Sequence, residues 1–145
     1  MNQDKKVIIA IPVYRDLREE EMIALNNNLS VLRQYPVVLV KPKGLNTKDL
    51  RKKYPQIGEI EVSDDWLGTK NGILGYNEMM TSPVFYSLFS DYEYLLICQT
   101  DVWIFRDDLM KWIDMGIDLV GAPWPNRNMY LHFPMKQYLQ LKVKL

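Results

Sequence analysis

The segment Tyr92–Cys98 reads YEYLLIC and is followed directly by Gln99-Thr100-Asp101. Its apolar and aromatic pattern predicts a buried β-strand, which we expect to be the most central strand of a sheet. Asp101 is the sharpest single feature of the chain, because a carboxylate at the exit of a buried strand can hold a divalent metal that binds a diphosphate. The residues alone give equal weight to a second interpretation, an aspartate that caps a helix or forms a turn.

Short apolar strands alternate with helices along the rest of the chain. Further strands are predicted at Val7–Val13, Val37–Val40, Ile57–Val62 (a half-exposed or edge strand) and Asp118–Gly121. Helices are predicted at Leu17–Gln34, from Asn46 or Thr47 to Tyr54, at Asn71–Met80, from Ser82-Pro83, and from Asp107-Asp108 to near Gly116. This alternation indicates βαβ units and a mostly parallel sheet. Ligands of such sheets bind beyond the carboxyl ends of the strands, so we look for function there.

Composition places the chain among globular proteins and gives it room for one domain, with 145 residues of which 48% are hydrophobic and 25% charged. Its 18 basic and 18 acidic side chains balance, which is not typical of a nucleic-acid-binding protein. One cysteine and one histidine exclude an internal disulfide, cysteine clusters and multi-histidine metal sites. Glycine-rich dinucleotide, P-loop and nucleophile-elbow motifs are missing. The first apolar run is too short for a transmembrane helix and lacks a signal-peptide pattern, so we expect a cytoplasmic protein.

Three other features admit both a functional and a structural interpretation, and a fourth admits a structural one alone. Cys98 lies in an apolar strand and is best explained as a packing residue. In Gly75–Asn77 the Tyr76 ring can stack on a base and the Asn77 amide can hydrogen-bond to one, although helix–sheet packing through a small residue is the favoured explanation. Trp124 can be a platform for a sugar or a core residue at a turn. The run Arg18–Glu21 is interpreted as a solvated helix start without a function.

Three stretches of the chain together resemble one known family. They are VIIAIPVYRD from Val7, the block GYNEMMTSPVFYSLFSDYEYLLICQTDVWIFRDDL from Gly75, and WIDMGIDLVGAPW ending at Trp124. In this order they resemble a domain-of-unknown-function family of glycosyltransferase-like proteins. The resemblance implies the GT-A fold, a Rossmann-like three-layer α/β/α sandwich with a mostly parallel sheet, and a nucleotide-diphosphate sugar as the donor.

The resemblance also implies roles for individual residues. The end of the first strand would face the nucleotide, the helix before the metal-bearing strand would line its pocket, and the D-x-D motif would fall on Gln99-Thr100-Asp101. The expected nucleotide-sugar-binding residues are Pro12, Val13, Tyr14, Tyr76, Asn77, Asp101, Trp103 and Trp124. Asp101 is the expected ligand of Mn²⁺ or Mg²⁺. Because Gln99 replaces the first carboxylate of the motif, the metal would rely on diphosphate oxygens. No catalytic residue is assigned.

The C-terminal end of the sequence departs from the family pattern. We expect residues 1–125 to form a nucleotide-sugar-binding domain of GT-A type, truncated on its C-terminal side, and residues 126–145 to form a divergent tail. The expected function is transfer of a sugar from its nucleotide diphosphate to a glycan or another acceptor. Whether the chain is an active enzyme stays open. The alternatives are a non-catalytic nucleotide-sugar-binding module and a fragment that needs a partner, and a homo-oligomer is also open.

Overall fold

A computed structural model of the chain describes residues 6–121. The strands are β1 (Val7–Pro12), β2 (Val37–Pro42), β3 (Gly58–Val62) and β4 (Tyr94–Ile97). The helices are α1 (Glu19–Val31), α2 (Lys48–Lys53), α3 (Gly72–Thr81), α4 (Pro83–Ser87) and α5 (Leu109–Asp114). The chain divides into two compact units between Met110 and Lys111, and the whole sheet belongs to the first of them.

The four strands form one parallel sheet in the order β3-β2-β1-β4. This arrangement confirms the predicted α/β class and the edge position of β3. The expectation that Tyr92–Cys98 is the most central strand is wrong, because β4 lies at the edge of the described sheet and all of its residues are only half-buried. The two inner strands are β2 and β1, and β1 is buried along its whole length. An apolar run indicates that both faces of a strand are covered by helices, but it does not indicate how many other strands lie on either side of that strand.

The core lies in two layers, one on each face of the sheet. Alternate residues of β1 point to opposite faces, as the pleat of a strand requires. Ile9 and Ile11 pack with residues of α1 on one face, whereas Ile8 and Ala10 pack with residues of α3 and α4 on the other. Because helices cover both faces of the sheet, the first unit is the predicted three-layer α/β/α sandwich with a Rossmann-like strand order.

The last predicted strand, Asp118–Gly121, is not formed. These residues are irregular and exposed, and they pair with no strand in the described part of the chain. A run this short becomes a strand only when a neighbour supplies hydrogen bonds, which the apolar pattern cannot guarantee. The proposed division at residue 125 stays a prediction, since the tail 126–145 lies outside the described residues. Within residues 6–121, each helix is too short or too polar to cross a lipid bilayer.

Candidate functional site

A cavity of about 520 Å³ opens at the carboxyl ends of β1 and β4. From β1 the chain continues to β2 on one side, and it later returns to place β4 on the other side. Ligands of open parallel sheets bind at such a switch point, and the volume is within the range of small-molecule sites. A depression of about 620 Å³ beside the end of β3 is more open to solvent and shares only Trp66 with the lining of this cavity.

Five short segments of the first unit build the cavity wall. They are the end of β1, the start of α1, the loop after β3, the first turns of α3 and the end of β4. Their lining residues are Pro12, Tyr14, Arg15, Arg18, Glu21, Trp66, Leu67, Gly68, Thr69, Gly72, Ile73, Tyr76, Gln99, Thr100 and Asp101. The wall therefore combines aromatic, cationic and acidic side chains around one opening.

The loop after β3 is held against α3 by a glycine. A Cβ atom added at Gly75 would lie 2.1 Å from the carbonyl oxygen of Asp65 and 3.0 Å from that of Trp66. Only glycine lets the two backbones approach this closely. Asn71 fixes the same loop, because its Nδ2 donates a hydrogen bond to the Asp65 carbonyl at 3.0 Å. Gly75 thus permits close packing, but its partner is the loop after β3 and not the sheet that the sequence interpretation favoured. This contact places Trp66 on the wall.

Three aromatic rings on the cavity wall suit a flat or apolar ligand surface. Tyr14 is half-exposed, whereas Trp66 and Tyr76 also pack against the core layer beneath α3 and α4. The Gln99 side chain donates a hydrogen bond from Nε2 to the Tyr76 hydroxyl at 3.0 Å. A carboxylate at position 99 could only accept, so the amide gives this wall a different polarity from a D-x-D aspartate.

Glu21 is the polar centre of the wall between β1 and β4. Its side chain is 5% exposed and accepts two hydrogen bonds from Arg15, with Nη1 at 2.8 Å and Nη2 at 2.9 Å. It also accepts a bond from the Arg18 backbone N–H at 2.8 Å and one from the Thr100 hydroxyl at 3.1 Å. One buried carboxylate therefore joins the end of β1, the start of α1 and the segment after β4.

The surroundings of Glu21 keep it ionised. The hydrogen-bonded Arg15 guanidinium, together with the Arg18 backbone N–H, lowers the pKa of Glu21 from 4.5 to about 2 against the opposing effect of burial. The Arg15 pKa is raised in turn, chiefly by the hydrogen bond to Glu21. The interpretation of Arg18–Glu21 as a solvated helix start is wrong at Glu21, which is buried, although Glu19 and Glu20 are exposed. A glutamate three residues after a helix cap is the available sequence signal, but arginine is not a typical cap residue.

The acidic groups of the wall limit how a metal could be held. Glu21 is already engaged by two arginines, so Asp101 is the carboxylate left to face a ligand. In the part of the chain that the structure describes, no three His, Cys, Asp or Glu side chains are grouped as a metal site would require. The donor set fits Mn²⁺ or Mg²⁺ only as a partner of a bound diphosphate, whose oxygens would complete the coordination of the ion.

The structure brings four of the sequence-predicted site residues to the cavity wall, namely Pro12, Tyr14, Tyr76 and Asp101. Val13 is 2% exposed and belongs to the core, because the side chain next to an outward-facing residue points the other way along an extended segment. Asn77 is exposed and lies off the wall, since neighbouring residues of a helix do not share a face. Trp124 lies outside the described residues.

Trp103 also lies off the cavity wall. The buried Asn28 of α1 holds the residues on either side of it, donating from Nδ2 to the Val102 carbonyl at 2.7 Å and accepting from the Ile104 N–H at 2.9 Å. The Trp103 side chain is left 46% exposed. The sequence interpretation missed Arg18, Glu21 and Trp66, whose positions depend on distant partners. Arg15 and Thr100 lie at strand ends where function was sought, but they were not named as site residues.

Cys98 is expected to be inert to thiol reagents in the folded protein. Its side chain is 4% exposed, and burial raises the pKa of the thiol. Because the thiolate is the reactive form, native protein should react with a disulfide reagent far more slowly than protein in 6–8 M urea, roughly a hundredfold or more. Titration of this single thiol with and without denaturant is the measurement. Rapid reaction in native buffer would contradict its role as a packing residue.

Comparisons with known proteins place the chain in a family. No curated protein sequence matches it. The crystal structure of S. aureus TarS superposes with a TM-score of 0.46 and 15% identity, covering 81% of this chain and 23% of that one. The chain thus spans less than a quarter of that structure, and the fold assignment rests on the sheet itself. A family model matches residues 56–143, which is more than half of the chain and includes β3, α3, β4 and Asp101. The chain belongs to the family described as protein of unknown function, DUF5672.

Proposed function

We propose that the chain is a glycosyltransferase-like domain whose cavity binds a nucleotide-diphosphate sugar. The observation that supports this most directly is the cavity at the switch point, where aromatic rings, two guanidinium groups and Asp101 face one opening. Aromatic faces suit a base and the apolar face of a sugar, and guanidinium groups suit phosphate. Such a mixture is what a donor with a base, a diphosphate and a sugar requires.

In this proposal each part of the wall has a task. Tyr14, Trp66 and Tyr76 hold the base or the sugar, and Asp101 faces the diphosphate. A divalent ion on Asp101, when bound, would neutralise charge on the departing diphosphate. The acceptor, a glycan or another hydroxyl-bearing molecule, would approach the sugar from the open side of the cavity.

A second candidate is a binding module without transferase activity. It is favoured by the acidic groups of the described wall, since Glu21 is tied to arginines and Asp101 is the carboxylate that remains. A transferase that needs both a metal ligand and an acidic base would have to find the second group elsewhere. Both candidates bind the donor. Only the transferase moves the sugar to an acceptor and thereby releases the nucleoside diphosphate.

A ligand screen tests the proposal. UDP, GDP, CDP and their sugars are added to the purified chain with Mn²⁺ or with EDTA, and melting and calorimetry are recorded. A ligand at one hundred times its dissociation constant should stabilise the fold by about 2.7 kcal/mol. Failure of every nucleotide to bind the folded protein would contradict donor binding. Release of nucleoside diphosphate from a bound donor would favour the transferase over the binding module.

Asp101→Ala is expected to remove the part of the affinity that depends on Mn²⁺. The fold should be retained, because Asp101 is exposed at the end of β4. Asp49→Ala is the matched control, since this aspartate is exposed on α2 and lies off the cavity wall. Equal Mn²⁺-dependent affinity in the Asp101→Ala variant and the control would remove Asp101 from the site.

A further inference from the structure

We propose that Glu21 is a positioning residue, which holds Arg15 and Arg18 as the pair that receives the ligand's diphosphate, so that diphosphate recognition needs no divalent ion. This inference rests on the proposed function and adds to it the residues that recognise the phosphate groups. It concerns groups on the wall that the metal-ligand hypothesis does not use.

The hydrogen bonds of Glu21 fix Arg15 in one orientation. Two parallel bonds to one carboxylate define the plane of a guanidinium group as well as its position. A third N–H bond, from Nη1 of Arg15 to the Asp16 carbonyl at 2.8 Å, restrains it further. Three of the five N–H groups of a guanidinium are used in these bonds, and Arg15 still lines the cavity.

Arg18 supplies the cation that is freer to move. Its Nε lies 3.4 Å from Glu21 Oε2 and its Nη2 lies 3.5 Å from Oε1. Both contacts are longer than the paired bonds of Arg15, and the Arg18 side chain is 65% exposed. The backbone N–H of Arg18 donates a hydrogen bond to Glu21. The backbone of Arg18 is therefore held in place, while the end of its side chain can reach a ligand. Arginine is well suited to this task because its planar fork matches phosphate oxygens.

The charges of the cluster favour an anion. Two guanidinium groups face one buried carboxylate, which leaves one positive charge in the group formed by Arg15, Arg18 and Glu21. Asp101 also lines the cavity, so the wall as a whole is neutral and the positive charge is local to the arginine pair. The neutral Gln99 adds no further negative charge to the wall. Complementarity to a phosphate group is therefore confined to the Arg15 and Arg18 side of the cavity.

Binding measurements with three variants test the inference. Each of UDP, GDP and CDP is compared with its own nucleoside, and inorganic pyrophosphate is added as a probe without a base, all in EDTA and then in Mn²⁺. The readout is the preference for the diphosphate, defined as the affinity ratio of nucleoside diphosphate to nucleoside. General damage to the fold lowers both affinities and leaves this ratio unchanged.

Wild-type protein is expected to keep a preference of tenfold or more in EDTA, and Arg18→Gln should reduce it about tenfold. Glu21→Asp keeps the negative charge but shortens the side chain by one methylene, so it should also reduce the preference by disturbing only the geometry. Arg33→Gln is the control, since this arginine is exposed beyond the end of α1 and lies off the wall. It should leave both affinities unchanged.

The possible failures of the inference and of the proposed function are distinct. Binding that occurs only with Mn²⁺, or an unchanged preference in Arg18→Gln, would overturn the arginine pair and leave donor binding standing. An unchanged preference in Glu21→Asp would overturn the positioning role of Glu21. If neither the nucleotides nor pyrophosphate bind under any condition, the proposed function and this inference fall together.

Discussion

Glu21→Gln is expected to lower the free energy of unfolding by about 2 kcal/mol at pH 7, because hydrogen bonds to a buried charged group are among the stronger ones. The amide keeps the size of the side chain but can accept on only one of its terminal atoms, so Arg15 cannot keep both of its bonds. Even when the amide oxygen takes the place of Oε2 and keeps the bonds from Arg15 Nη1 and the Arg18 N–H, the bond from Arg15 Nη2 to Oε1 is lost. Glu20→Gln is the control, since Glu20 is exposed in the same helical turn. Its effect should stay below about 1 kcal/mol, the usual limit for an exposed charge at a helix start.

The difference in stability between wild type and Glu21→Gln is expected to depend on pH. The pKa of Glu21 is lowered from 4.5 to about 2 in the fold, so its ionised form favours the folded state. This stabilisation is complete above the unfolded pKa and is lost as the pH falls through the folded pKa. Urea unfolding of wild type and Glu21→Gln should therefore differ most above pH 5 and converge towards pH 2–3. A difference that is constant with pH, or equal to that of Glu20→Gln, would contradict the burial of an ionised Glu21.

Gly75→Ala is expected to destabilise the fold by about 2–3 kcal/mol, the upper part of the usual cost of overpacking, because the backbone atoms that it meets cannot rotate away. The added Cβ would lie 2.1 Å from the backbone oxygen of Asp65, and either α3 or the loop must move. Helix propensity acts in the opposite direction, since alanine in a helix interior is favoured over glycine by about 0.5–1 kcal/mol. The sign of the measured change therefore tells which effect is larger.

Gly44→Ala is the matched control for this substitution. A Cβ at Gly44 meets nothing within 4 Å, and its backbone has no positive φ angle. Thermal unfolding should show a melting temperature lower by roughly 5–10 °C for Gly75→Ala, with Gly44→Ala close to wild type. A stabilised Gly75→Ala protein would mean that the loop after β3 does not lie against α3. The placement of Trp66 on the cavity wall would then be lost as well.

The elements of the first unit were predictable because local patterns dominate their formation. Each of these signals favours the element that contains it: the β-branched residues of β1, the acidic first turn of α1 and the Ser82-Pro83 start of α4. Each of these elements forms close to its expected bounds. Two features were not predictable: the edge position of β4 in the described sheet and the lack of a strand at residues 118–121. Both depend on which strands pair, and pairing is a property of distant segments.

For the site, the sequence by itself determined where along the chain cavity-lining residues would lie, namely at and just after the strand ends, where Pro12, Tyr14 and Asp101 stand. Only the tertiary structure decided which other side chains join them. Glu21 is buried because Arg15 and Thr100 reach it from segments on either side of the switch point. Trp103 faces away because Asn28 holds the residues on both sides of it. The physical reason is that hydrophobic periodicity records burial, whereas the partner of a polar group is set by the meeting of segments far apart in the chain.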